Sequence, residues 1–148
     1  MNKEDYSDLN YVLSKINELD HDSDVIVVSE KYENLKYVVT ALINVLAIKN
    51  NFIVKSNLSD NLSIKSNNIK FYNEKGVLCN LTFKSEAQGR RAFQAISLDL
   101  AVCLLKNKEK LDDGIYYEIL FSLIRNQGAI YEKSKNGLYV RPEFNHLI

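Results

Sequence analysis

The residues with the most chemistry in them lie close together: Gly89-Arg90-Arg91, then Asp99. Two guanidiniums on a glycine-containing turn can grip a phosphate or carboxylate through paired N–H bonds. Two arginines on a turn can equally be a solvated corner. Asp99 sits inside the apolar run Ala95–Leu105, an expensive place for a carboxylate unless it is paired or faces a cleft. If the run is a strand, Asp99 falls near its carboxyl end, where α/β enzymes place metal-holding carboxylates. If it is a helix, Asp99 faces solvent and carries no chemistry. Gly89, Arg90, Arg91 and Asp99 are therefore the candidate ligand or partner contacts.

The remaining patterns offer less. The five glycines stand singly and none precedes a lysine, so no phosphate-wrapping loop can be assembled from contiguous residues. Asp20, Asp22 and Asp24 alternate as in a calcium loop but lack its glycine and terminal glutamate. His21 and His146 have no partner at metal-ligand spacing, and there is no Cys-x-x-Cys. Ser29, Ser97 and Ser134 lack a glycine elbow or a nearby histidine. No catalytic residue, metal or cofactor is expected. Cys79 and Cys103 fall in apolar runs and read as buried thiols in a reducing compartment. Tyr116, Tyr117, Tyr131 and Tyr139 read as core, with a partner-binding patch as the other possibility.

Composition bounds the class. Hydrophobic residues make up 46% and charged ones 26%, enough to build a core and too apolar for disorder. Net charge is zero, so no overall field draws the chain to nucleic acid or an anionic membrane. Lys84, Arg90, Arg91, Lys133 and Lys135 leave a local nucleic-acid contact open. No apolar run is long enough to cross a bilayer, and the acidic start is unlike a signal peptide. The expectation is one cytoplasmic domain over residues 1–148, with no membrane contact.

These residues need elements to position them. Residues 4–19 form an amphipathic helix through Tyr6, Leu9, Leu13 and Ile16. Val25–Val28 is a β-branched strand apolar on both faces. A second helix runs from about Glu30 to Lys49, with Leu35, Val38, Val39, Leu42, Ile43 and Leu46 on its stripe. Phe52–Val54 is a short strand, and Leu62–Ile64 an edge strand in a Ser/Asn-rich stretch. Ile69–Asn73 and Val77–Phe83 form a hairpin about Glu74-Lys75-Gly76. Lys106–Asp113 is a charged surface loop. Ile115–Arg125 is a helix capped by Asp112 or Asp113 and closed by Gly128, burying Ile115, Ile119, Leu120, Leu123 and Ile124. Ala129–Tyr131 and Leu138–Val140 are further strands, ended by Pro142. The fold class is α/β, a layered, partly parallel sheet flanked by helices. The alternative is α+β, with residues 86–106 as one long core helix. The first requires Ala95–Leu105 to lie extended within the sheet.

The order helix, VIVVS strand, long helix, strand pair IKFYNEKGVLCNLTFKS, EAQGRRAF loop and AISLDLAVCLL run resembles the ATPase core of viral large terminase subunits, which are DNA-packaging motors. That core belongs to the RecA-like P-loop ATPases. In the family an arginine loop precedes an apolar strand ending in an acidic pair, and a Thr-Thr-Pro-type coupling segment follows. The resemblance places the family's phosphate loop ahead of the first helix, before this chain starts. It sets Asp99 at one member of the acidic pair, with Leu100 where the catalytic glutamate belongs. It sets Lys133-Ser134-Lys135 in the coupling segment. A leucine cannot polarise water, so the resemblance implies a degenerate core without Walker A loop or catalytic glutamate. An acetyltransferase analogy through Gln88–Ala92 fits less well, because its glycines fall out of register. The expected role is a non-catalytic adaptor or regulatory module contacting a protein partner, in a viral or mobile-element nucleic-acid machine. The alternatives are an enzyme binding a phosphate ligand or acyl-CoA, and a direct nucleic-acid binder.

Overall fold

The computed structural model describes residues 2–49, 52–53, 68–94 and 96–142. Helix α1 (Lys3–Asn17) starts where the Asn2 side chain accepts the Asp5 N–H at 2.8 Å. Strand β1 (Ser23–Ser29) and helix α2 (Tyr32–Lys49) are joined by Glu30 and Lys31 alone. Strand β2 (Phe52–Ile53) is followed by the hairpin of β3 (Asn68–Tyr72) and β4 (Leu78–Ser85). Gly76 turns that hairpin with a φ of 79°, a conformation that favours glycine. Two short 3-10 turns, Glu86–Gln88 and Arg90–Phe93, lead towards β5 (Leu100–Leu104). Helix α3 (Asp113–Ile124) and the pair β6 (Ala129–Ser134) and β7 (Gly137–Tyr139) complete the described elements.

The seven strands form one sheet in the order β2-β3-β4-β1-β5-β6-β7. Strands β4, β1, β5 and β6 run parallel, and the outer pairs are antiparallel. The two central strands are covered on both faces, which is why they read as unbroken apolar runs. Val25, Val27, Leu100, Val102 and Leu104 pack against Leu9, Val12 and Ile16 of α1 and Leu35, Val38, Val39 and Leu42 of α2. Ile26, Val28, Ala101 and Cys103 pack on the other face against Phe93 and Ile115, Tyr116, Ile119 and Leu123. The architecture is thus α/β, with helices on both sides of a mixed sheet.

The structure corrects several expectations. Residues 86–106 do not form a helix, because β5 is needed between β1 and β6. Only Leu100–Leu104 of the Ala95–Leu105 run is strand; residues 96–99 are irregular and Ala95 lies outside the described residues. Tyr6 is exposed and Val12 takes its place in the core. On α3, Tyr116 is buried and Ile124 exposed. The left-handed residue at the end of α3 is Gln127, at a φ of 55°, and the Gly128 N–H that follows closes the helix on the Leu123 carbonyl at 2.9 Å. Gly128 also serves close packing: a Cβ there would sit 2.5 Å from the Asp99 carbonyl oxygen. Val54, the Leu62–Ile64 strand and the Leu46 side chain lie outside the described residues.

Candidate functional site

In a parallel sheet the ligand crevice lies beyond the carboxyl ends of the strands, where neighbouring connections leave in opposite directions. Here that point is the seam between β1 and β5. From β1 the chain crosses by α2 towards β4, and from β5 by α3 towards β6. The groups at the seam are Ser29-Glu30-Lys31 on one side and Leu105-Lys106-Asn107 on the other, since Val28 pairs with Cys103.

Those groups are tied to one another. The Glu30 carboxylate accepts the backbone N–H of Lys106 and, at 3.1 Å, that of Asn107. The Lys106 ammonium turns the other way, 2.7 Å from Asp8 Oδ2 and 3.2 Å from Asp5 Oδ1 on α1. Lys133, at the end of β6, meets Asp8 Oδ1 at 2.8 Å. Burial draws the Lys106 ammonium down, but its bonds to Asp8 and Asp5 hold its pKa above the ordinary lysine value. Beside this cluster is a cavity of about 260 Å³ lined by Lys106, Asn107, Lys108, Glu109, Ser134, Lys135 and Asn136. None of Glu30, Asp5, Asp8 and Lys106 was a sequence candidate. The signal was an aspartate pair three apart on a helical stripe, but its lysines lie about a hundred residues away in the chain.

The candidates from sequence do not converge. Gly89, at a φ of 85°, separates the two 3-10 turns beyond the carboxyl end of β4. Arg90 Nε donates to Glu118 Oε1 at 2.7 Å, and this bond holds the Glu118 pKa below the ordinary carboxylate value. Arg91 is exposed. Asp99 precedes β5 and so lies at its amino end, not its carboxyl end. The strand starts one residue after it, because Asp99 is needed as a joint: its Oδ2 accepts the Asp24 N–H at 2.8 Å and its carbonyl the Ala129 N–H. Gly89–Arg91 and Asp99 are therefore separated by roughly a strand's length, about 16 Å for five residues at ~3.3 Å each.

His21 joins Asp99 at that amino end, with Nδ1 2.9 Å from Asp20 and Nε2 3.3 Å from Asp99. Asp22 and Asp24 hold the Leu78 N–H and the Asn80 amide. Among the described residues no group of three His, Cys, Asp or Glu side chains is placed to hold a metal. Of the basic residues, Lys84 donates to the Ala92 carbonyl and Lys133 is bound to Asp8. Lys135 and Arg91 face solvent. Cys79 and Cys103 are free and buried, and burial pushes the Cys79 thiol to about 11. No helix of the described residues is long and apolar enough to cross a membrane.

A mixed sheet with helices on both faces and a β1/β5 switch point is a doubly wound α/β architecture. Solved structures narrow it. The large terminase of a thermophilic bacteriophage superposes with a TM-score of 0.59 at 12% identity, over 87% of this chain and 30% of that one. Its complex with ADP gives 0.57 at 12% identity, over 83% and 28%. The ATPase domain of the large terminase of a Thermus phage gives 0.59 at 12% identity, over 86% and 54%. The chain thus has the fold of viral large-terminase ATPase domains and spans about a third to a half of the lengths compared. No protein-family model matches it, and no curated protein matches it in sequence.

Proposed function

We propose that this chain is a packaging-motor-like module that binds a protein partner and does not hydrolyse nucleotide. The observation that carries the reading is the Glu30 carboxylate at the β1/β5 seam. Two residues without glycine link β1 to α2, too few to supply the ring of N–H groups that wraps a phosphate. The nearby N–H groups of Lys106 and Asn107 are taken by Glu30, whose charge repels a phosphate. The lysine that follows β5 is bound to α1 rather than turned to the crevice.

The module then works by presenting a rigid surface, with exposed Arg91 as its polar contact and Arg90 braced on Glu118 beside it. A partner within a viral or mobile-element nucleic-acid machine fits the fold. Direct nucleic-acid binding is the weaker reading, since Lys84 and Lys133 are bonded within the chain. The test is a melting curve with ATP, GTP or acyl-CoA, with and without magnesium. A ligand at a hundred times its Kd stabilises by about 2.7 kcal/mol, or roughly 5–11 °C for a chain of this size. No shift is expected, and one of that size would overturn the proposal.

A further inference from the structure

Helix α3 is apolar on both sides. Ile115, Tyr116, Ile119, Leu120 and Leu123 enter the core, while Tyr117, Phe121 and Ile124 are 37%, 70% and 57% exposed. The exposed three are spaced by four and three residues and form one stripe along the helix. Beside the stripe is a cavity of about 260 Å³ lined by Ile96, Ser97, Phe121, Ser122 and Arg125. Scattered exposed apolar residues are ordinary, but a continuous stripe flanked by a cavity marks a contact surface.

The charges beside the stripe identify what covers it. Glu118 and Arg125 are seven residues apart, so both lie on the same flank. When two helices pair antiparallel, like flanks meet. A second copy turned about a two-fold axis at Phe121 sets Tyr117 against its Ile124 and Glu118 against its Arg125, twice over. Glu118 accepts Arg90 and Gln94 through Oε1 only, so Oε2 can take the new guanidinium. A parallel pairing would need the opposite flank, where Tyr116 and Leu120 are already in the core.

We infer that α3 is an isologous dimer surface, and that its partner is a second copy of this chain. The inference stands on α3 alone and does not depend on the nucleotide reading. Two helical turns bury less than the roughly 800 Å² per side of a standard interface, so the dimer is weak and dependent on concentration.

Sedimentation over a wide concentration range tests it. A monomer–dimer equilibrium is expected. Phe121→Glu and Arg125→Glu, both at exposed positions, should each weaken it about tenfold or more with an unchanged melting temperature. Geometry is tested by oxidation of variants with one added cysteine, the native Cys79 and Cys103 being buried. Tyr117→Cys mixed with Ile124→Cys should form a disulfide dimer, and Tyr117→Cys alone should not. A monomer at all concentrations, a dimer indifferent to Phe121→Glu, or Tyr117→Cys linking to itself would overturn the inference.

Discussion

Removing Arg141 should cost the fold heavily. Its side chain is 3% exposed and that of Glu132 is 2%. Arg141 donates to both Glu132 oxygens at 2.9 and 2.8 Å and to the Leu111 carbonyl at 2.8 Å, while its guanidinium lies 3.8 Å from the Tyr116 ring centroid. Glu132 also takes the Leu111 N–H at 2.9 Å, so the pair ties β6 to the loop before α3. Arg141→Ala leaves a buried carboxylate with that single N–H, and breaking a buried pair costs about 3–5 kcal/mol. Marginal stability is about 5–15 kcal/mol, so this is a large fraction of it. At roughly 2–4 °C per kcal/mol, the melting temperature should fall by about 6–20 °C. The bond from Arg141 to Asp113 at 2.7 Å matters less, because Asp113 is 64% exposed. Asp113→Ala should therefore shift the midpoint far less than Arg141→Ala does. Glu132→Gln combined with Arg141→Met removes both charges and should recover most of the loss. Circular-dichroism melting of the four proteins is the assay. If Arg141→Ala shifts the midpoint no more than Asp113→Ala does, the reasoning about an uncompensated buried charge is wrong.

Gly128→Ala should destabilise by about 1–3 kcal/mol, because its Cβ would meet Asp99 backbone and Leu123, and the backbone cannot yield as a flexible side chain would; urea denaturation reads this, and a neutral result would remove the close-packing role. His21 should titrate above 6.5 by NMR, because its bond to Asp20, then that to Asp99, favours the imidazolium, the only form that donates from both nitrogens. Protonated His21 adds stability that is complete below 6.5 and is lost as pH rises through its raised folded value. Asp20→Asn should bring that value down, and an unchanged titration would show that Asp20 is not the cause.

The central strands were readable because burial on both faces leaves an unbroken apolar run, as in Val25–Val28 and Leu100–Leu104. The β3/β4 hairpin was readable because Cys79, Leu81 and Phe83 alternate with residues facing outward. What escaped was long-range. Nothing local marks Asp5 and Asp8 as buried; only tertiary contact with Lys106 and Lys133 makes them so. Asp99 lay within the right apolar run but at the wrong end of the strand, since a run of apolar residues does not mark where pairing starts. Gly89–Arg91 could be read as loop or as part of a long helix; the structure sets it between two 3-10 turns, and the partner of Arg90 is on α3, which no local pattern reveals.

The β1/β5 seam is where the account is most exposed. Backbone amide NMR during addition of magnesium-ATP tests it most directly, reading Lys31, Lys106 and Asn107. With Glu30 holding the N–H groups, those signals should stay in place throughout. Saturable shifts confined to those residues would mean that the crevice opens to nucleotide and that Glu30 does not close it.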